Sequence, residues 1–262
     1  MIRTVNIIYF SPTKTTKNIV NAIVKGTGIN KVNEFDVTTE NLKETIAIPD
    51  EELTIFGTPV YGGRVPAVAV NRFKKIKTTN SLAVLVAVYG NRGFDDVLLE
   101  LKDITNLSGF NTIAAGAFIG EHSYSIHGTE IAKNRPDNSD IEKAIDFGKQ
   151  IIDKIDNRKS KIDDIIIPGN FPYREIKDRP AISPETIYSN CIKCGICVDV
   201  CPTHAISLNS QIETESDLCI WCCACVKYCP QNARTMNNDV IVNTQKWLLE
   251  KCLERREPEM FL

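Results

Sequence analysis

The 262-residue chain reads as an α/β protein: a doubly wound five-stranded parallel sheet followed by a small domain organised around cysteine. Three observations predict this. Apolar strand-like runs alternate with helical stripes over roughly the first 155 residues, and that alternation lays crossover helices on both faces of a parallel sheet. All ten cysteines lie after residue 190, nine of them between Cys191 and Cys229. Between these regions, residues 157–186 lose periodicity and carry four prolines with many charges, as a linker does. The boundaries expected are a first domain over 1–156, the linker, a cysteine domain over 187–240, and a C-terminal helix and tail over 241–262.

Residues 5–10 are a β-branched and aromatic run, 15–25 place Ile19, Val20 and Ile23 on one helical face, 31–37 alternate, and 53–57 are a short apolar run. The cycle repeats. Residues 66–73 read as a helix with Pro66 in its first turn, Leu82–Tyr89 as a strand apolar on both faces, 95–107 as a helix and Asn111–Ile119 as a strand. The domain's last helix carries Ile141, Ala144, Ile145, Gly148, Ile151, Ile152 and Ile155 as an apolar stripe, with Ser139 and Glu142 placed as a capping box.

Composition narrows the classes. Hydrophobic residues make up 43% and charged residues 24%, as in soluble globular domains and unlike disordered or fibrous chains. A net charge of −2 with a pI near 6.0 gives no electrostatic reason to expect nucleic acid or an anionic membrane as partner. The longest apolar run, Leu82–Tyr89, is eight residues, against the roughly 18 that a membrane span needs. The first residues carry one Arg and a short apolar stretch running into Ser11 and Pro12, with no signal-peptide core, so a cytoplasmic location is expected. There, dense cysteine favours metal or cluster ligation over disulfides.

Cys191, Cys194, Cys197, Cys201 and Pro202 recur 28 positions later as Cys219, Cys222, Cys225, Cys229 and Pro230, an internal duplication. The run C-x2-C-x2-C-x3-C-P, present twice, is the one bacterial two-cluster ferredoxins use to hold two 4Fe-4S cubanes. In it three close thiolates wrap one cluster, and the fourth, ahead of the proline, reaches the other. The expected sets are Cys191, Cys194, Cys197 with Cys229, and Cys219, Cys222, Cys225 with Cys201. The alternative is a pair of structural zinc sites, which need separated C-x2-C knuckles and no third Cys at the same short spacing. Cys223 falls at the repeat position of Gly195 and is expected as a packing residue, like Cys252 in the C-terminal helix.

In a doubly wound sheet a ligand sits beyond the carboxyl ends of the strands, where strand order reverses. After the first strand, Ser11, Thr13, Lys14, Thr15 and Thr16 cluster hydroxyls and a cation at a helix N-terminus, which suits a phosphate and equally suits plain capping. Neither a Walker A loop nor G-x-G-x-x-G is present there. After the third strand come Thr58, Pro59, Tyr61, Gly62 and Gly63, and after the fourth Tyr89, Gly90, Asn91 and Arg92. Each loop offers an aromatic for stacking beside glycines that let backbone approach a ligand, although turn glycines at strand ends would look the same.

These loops share one sheet edge, a combination that resembles flavodoxin and its FMN site. With the duplicated cysteine run, the linker text PGNFPYRE and the tail REPEMFL, the whole chain resembles the flavodoxin-ferredoxin fusion proteins (flavoferredoxin-like) of anaerobic bacteria and archaea. The resemblance implies a flavodoxin-like domain with FMN, two 4Fe-4S clusters in the second domain, and electron transfer between them. It implies that Ser11, Thr13, Lys14, Thr15 and Thr16 hold the phosphate, that Thr58, Pro59, Tyr61, Gly62 and Gly63 line one side of the isoalloxazine, and that Tyr89, Gly90, Asn91 and Arg92 line the other. One departure is visible: flavodoxin loops are acidic, whereas Arg64 and Arg92 stand here, and either near the pyrimidine edge would stabilise a reduced, anionic flavin. A surface arginine is the plainer reading.

His122, Tyr124 and His127 follow the fifth strand on the same edge, within reach of a flavin-bound substrate or simply solvated. His204 reads as a turn residue, and Arg72, Lys74, Lys75 and Lys77 as a wet helix face or a dock for an acidic redox protein. The leading function is electron transfer coupling one-electron donors to two-electron flavin chemistry, with ferredoxin-like proteins as partners. The alternative is a flavin-dependent reductase of a small molecule or quinone fed by the clusters; a third is a non-redox flavin or metal module. The linker's length allows same-chain or partner-chain contact, and a head-to-tail homodimer is the corresponding expectation.

Overall fold

The computed structural model describes residues 2–40, 42–157, 165–176 and 178–262. Within the linker, 158–164 and Lys177 lie outside the described residues. The first domain runs β1 (Thr4–Tyr9), α1 (Thr15–Thr27), β2 (Lys31–Asp36), β3 (Ile46–Ala47), β4 (Leu53–Pro59), α2 (Ala67–Phe73), β5 (Ile76–Lys77), β6 (Leu82–Tyr89), α3 (Val97–Asn106), β7 (Asn111–Ile119) and α4 (Asn138–Asn157). The main sheet has five parallel strands in the order β2-β1-β4-β6-β7, and β3 pairs with β5 in a separate small ribbon. This is the flavodoxin-like order 2-1-3-4-5, and it reverses between β1 and β4.

Burial explains the register. β6 lies mid-sheet and is buried at every residue, so an unbroken apolar run is what that position demands. On one face Ile19, Val20 and Ile23 of α1 meet Phe147 and Ile151 of α4 over the sheet; on the other, Phe73 of α2 and Leu98 and Leu101 of α3 pack with Phe56 and Leu85. α1 and α4 touch backbone to backbone: a Cβ on Gly26 would meet the Ile145 carbonyl oxygen at 1.9 Å, and one on Gly148 the Ile23 carbonyl oxygen at 2.1 Å. Any larger residue at either glycine would force the helices apart.

The second half of the linker is fastened to this domain. Ile165 and Ile167 are buried against the α2–α3 face, and the amides of Asn170 and Arg174 donate to the Asp96 carboxylate at 2.8 and 2.6 Å. The cysteine unit follows, with β8 (Glu185–Thr186), α5 (Ile196–Asp199), β9 (Ile206–Leu208), β10 (Ile212–Thr214), α6 (Ala224–Lys227) and β11 (Arg234–Thr235). β9 and β10 form a hairpin, and β11 pairs antiparallel with β8, drawing the end of the linker into the cysteine unit. The chain ends with α7 (Asp239–Lys251) and β12 (Glu259–Phe261).

Four details differ from the sequence reading. β12 joins the edge of β7 as a sixth, antiparallel strand, with Phe261 packing on one face and Met260 on the other. The α4 capping box is Asp137 with Asp140, not Ser139 with Glu142: the Asp140 amide donates to Asp137 Oδ1 at 3.1 Å and the Asp137 amide to Asp140 Oδ2 at 2.9 Å. The helix starts two residues earlier, with the Asp140 carboxylate also accepting from Arg135. Arg72 is no wet-face residue, being 3% exposed and donating to the carbonyls of Val37, Thr38 and Pro202. Arg64 turns from the sheet edge to a bidentate pair with Glu100 and a place over the Tyr173 ring, which removes it as a candidate at a flavin edge.

Candidate functional site

A cleft of about 250 Å³ opens at the carboxyl edge of the sheet, beside the reversal of strand order. Its walls come from the loops after β1, β4, β6 and β7, through Thr13, Thr15, Pro59, Tyr61, Gly62, Tyr89, Gly90, Arg92 and His122. Six wall residues come from outside the sheet domain: Arg179 from the linker, Ile220 and Trp221 from the second cysteine run, and Thr244, Trp247 and Leu248 from α7.

At the start of α1 the chain turns through Lys14 in a left-handed conformation (φ 64°), with no side-chain cap and no acidic residue in the first turn. Among the described residues, the amides of Thr15 and Thr16 meet no acceptor, and the buried Thr16 hydroxyl oxygen has no partner. Ser11 Oγ accepts from the Lys17 amide at 3.0 Å. Unpaired donors at the positive end of a 13-residue helix are the local chemistry of an anion site. The arrangement therefore fits a phosphate.

The other loops hold less open surface than their residue types suggest. Gly62 is left-handed (φ 66°), and a Cβ at Gly90 would strike the His122 ring at 2.3 Å, so both glycines keep the walls close. Tyr89 is 2% exposed with its ring against Phe94, leaving no free face for stacking. Tyr61 stands at the wall, and burial raises its hydroxyl well above the ordinary value, with Cys222 and Cys223 adding to the effect. Ser11, Lys14, Thr16, Thr58, Gly63 and Asn91 are not part of the cleft wall, and Lys14 is exposed with its ammonium 5.2 Å over the Tyr228 ring. Thr58 is buried beneath Pro59, Gly63 packs on Asp95, and Asn91 donates to the carbonyls of Cys252 and Glu254 at 2.6 and 2.8 Å, tethering the segment after α7. Arg92 lines the cleft while paired with Asp95.

His122 accepts from the Tyr124 amide at Nδ1 (3.0 Å) with the Tyr124 ring packed over it. Burial, with Lys227 and Arg92 nearby, pushes its imidazole down to about 4, so it stands neutral near pH 7. His127 lies outside the cleft lining, and His204 is a left-handed turn residue whose Nε2 meets the Thr39 carbonyl at 2.9 Å.

None of the ten cysteines is paired in a disulfide. Cys191, Cys194, Cys197 and Cys229 line one cavity, and Cys201, Cys219, Cys222 and Cys225 line another with Cys223 beside them, each about 20 Å³. Each set takes three thiols from one run and the fourth from the other. The duplication is conformational as well: Lys193 and Trp221 (φ 53° and 60°), Gly195 and Cys223 (80° and 56°), and His204 and Asn232 (54° and 48°) are repeat-related and left-handed. A left-handed residue other than glycine costs about 1–2 kcal/mol, so wrapping the backbone around each cavity is evidently what this geometry serves. Four cysteines around one cavity suit a polynuclear group held by thiolates. Burial holds Cys222 well above the ordinary thiol value and Cys225 up to about 11, so loading either as thiolate releases a proton.

The cleft and the second cavity share a wall. Ile220 lines both, and Trp221 lines the cleft while its neighbour Cys222 lines the cavity. Trp221 is held by its indole N–H to the Ile182 carbonyl (2.8 Å) and by the Arg179 guanidinium 5.1 Å above its ring. Sequence reasoning missed Arg179, Trp221, Trp247 and Leu248. The one signal available was the repeat itself, where Trp221 replaces the polar Lys193.

The family described as 4Fe-4S binding domain matches residues 184–207, which hold the first cysteine run. Among curated proteins none matches the chain. Among solved structures, the chain is similar to a flavodoxin from the domain Archaea (13% identity, 59% of this chain and 99% of that one, TM-score 0.41). It is also similar to the Fusobacterium nucleatum flavodoxin bound to flavin mononucleotide (20% identity, 59% and 99%, TM-score 0.41). A third likeness is to the NAD(P)H:quinone oxidoreductase of Methanothermobacter marburgensis (12% identity, 62% and 100%, TM-score 0.37). Among the described residues no helix is long and apolar enough to cross a membrane. The chain joins a sheet domain of flavodoxin-like strand order to a cysteine unit that matches the 4Fe-4S binding domain over residues 184–207.

Proposed function

We propose that the chain is an electron-transfer flavo-iron-sulfur protein with FMN in the cleft and a 4Fe-4S cluster in each cysteine cavity. The observation that carries this reading is the shared wall: Ile220 lines both the cleft and the second cavity. Electron tunnelling falls steeply with distance, and adjoining sites within one chain need no second copy to complete the path. Thr13 and Thr15 at the start of α1, with the unpaired Thr16 hydroxyl behind them, would hold the phosphate, Pro59–Gly62 with Gly90 and Arg92 would flank the ring system, and the crossed cysteine sets would hold the clusters. FMN supplies exchange of one or two electrons, which suits single-electron clusters on one side and a two-electron partner on the other.

The reductase alternative asks for an open face and a proton donor. Trp221, Trp247 and Leu248 take up part of the cleft wall, and a neutral His122 is a weak donor near pH 7. Both observations favour electron transfer, with a ferredoxin-like protein as the one-electron partner. The test is an anaerobic dithionite titration followed by absorbance, with iron, sulfide and FMN analysis. About eight irons and one FMN per chain, bleaching in resolved steps, is the expected result. Zinc in place of iron, or iron without flavin, would overturn it.

A further inference from the structure

Arg234 is 4% exposed. Its guanidinium donates to the hydroxyls of Thr186 (2.6 Å) and Thr214 (2.9 Å) and directs another N–H at Cys225 Sγ, 3.9 Å away. Among the described residues no carboxylate pairs with it, and Nε meets no acceptor. A buried guanidinium that meets only neutral hydroxyls and a thiol is costly, because the charge leaves water with nothing of opposite sign to receive it.

The position of Arg234 supplies a candidate for that opposite charge. It lines the cavity of Cys191, Cys194, Cys197 and Cys229, while its Nη2 faces Cys225 of the other set, so one cation touches both cysteine sites. The duplicated sequence adds an internal control. The residue 28 positions earlier is Ile206, also buried, so the repeat accommodates an aliphatic side chain there and packing alone does not require an arginine.

We infer that Arg234 is the shared counter-cation of the two cluster sites and raises the reduction potential of both. The inference rests on the two-cluster reading above. A 4Fe-4S cluster with four thiolates is anionic, and each one-electron reduction adds a negative charge without breaking a bond. A fixed cation at contact distance therefore stabilises the reduced form more than the oxidised form, and the surrounding low dielectric preserves the effect. The cluster held by Cys225 gains an N–H···S bond in addition to the charge.

The experiment is an EPR-monitored redox titration of the full holoprotein beside Arg234→Ile, Arg234→Gln and Arg234→Lys, with iron and sulfide counted for each. Arg234→Ile installs the side chain of the first repeat. Its expected result is full iron content with both cluster midpoints lowered, the one held by Cys225 by more, corresponding to at least a tenfold loss in the reduction equilibrium, or 59 mV for one electron. The flavin midpoint should move less than either. Arg234→Lys, which keeps the charge, should stay nearer the unsubstituted protein. Unchanged cluster midpoints in a fully loaded Arg234→Ile protein would overturn the proposal and leave Arg234 a structural residue. Should that variant not load, Arg234→Gln and Arg234→Lys decide: lowered midpoints in Gln alone support the proposal, and equal midpoints in both overturn it. Absence of iron from the unsubstituted protein would instead overturn the two-cluster reading itself.

Discussion

Lys227 Nζ lies 2.9 Å from Glu121 Oε1 and 3.2 Å from the Ser125 carbonyl, so the helix inside the second cysteine run is pinned to the loop beneath the cleft. Both side chains are largely shielded, at 21% and 29% exposure. Burial works to raise Glu121, and the Lys227 ammonium, the Ser125 hydroxyl and the Asn134 amide outweigh it, leaving the carboxyl below its ordinary value. Lys227→Met should cost about 1 kcal/mol, the low end of the penalty for leaving a charged acceptor unpaired, because Glu121 is only partly buried. Electron transfer between clusters and flavin should slow several-fold at unchanged iron and FMN content, with Lys227→Arg restoring most of the rate. Stopped-flow reduction at 450 nm and thermal melts check both; an unaltered rate would mean the contact does not set the distance between the sites.

The orphaned Thr16 hydroxyl yields a prediction in which stability and binding move in opposite directions. Thr16→Val keeps the shape and removes an unpaired buried oxygen, so the apoprotein should melt at the same temperature or higher. FMN should bind at least tenfold more weakly, about 1.4 kcal/mol, because a donor to the phosphate is gone. Fluorescence titration of apoprotein with FMN measures it. Unchanged affinity would assign the hydroxyl loop to capping alone.

Crossed and uncrossed cysteine sets respond oppositely to paired substitutions. If Cys201 belongs with Cys219, Cys222 and Cys225, the double variant Cys201→Ser, Cys219→Ser damages one cavity and retains about four irons. Cys201→Ser with Cys197→Ser then damages both cavities and retains almost none. An uncrossed arrangement gives the reverse pattern, and iron analysis of the two proteins separates them.

The parts legible in the sequence are those with a local or periodic cause. The unbroken run of β6 states its burial on both faces, and the 28-residue cysteine repeat states the duplication. Features set by contacts between distant segments were not legible. Arg72 sits in a run of lysines, and only the fold shows that it is buried against the Pro202 carbonyl 130 residues away. Tyr89 looks like a stacking residue until Phe94 is seen against it. Ser139 is as good a cap by type as Asp137, and it is Asp137 that accepts from the Asp140 amide. Trp247 and Leu248 read as one stripe of a C-terminal helix, and only the fold shows that they line the cleft while Asn91 holds the Cys252 carbonyl at that helix's end.

His122 gives the fold a dependence on pH whose sign is fixed. The folded imidazole titrates at about 4, lowered first by burial and then by Lys227 and Arg92, against 6.5 when free. Between those values the unfolded chain takes up a proton that the folded chain refuses. Stability from this residue is therefore complete above pH 6.5 and falls as the pH drops toward 4, by up to about 1.4 kcal/mol per unit. His122→Asn has no such proton and can still accept from the Tyr124 amide, so its melting temperature should gain on the unsubstituted protein as the pH falls from 7.5 to 5. The two proteins are to be melted side by side, so that every other titrating group cancels from the difference. A gap that stays constant over that range would mean His122 is already solvated enough to protonate in the folded state, and the case for an uncharged imidazole at the cleft would fall with it.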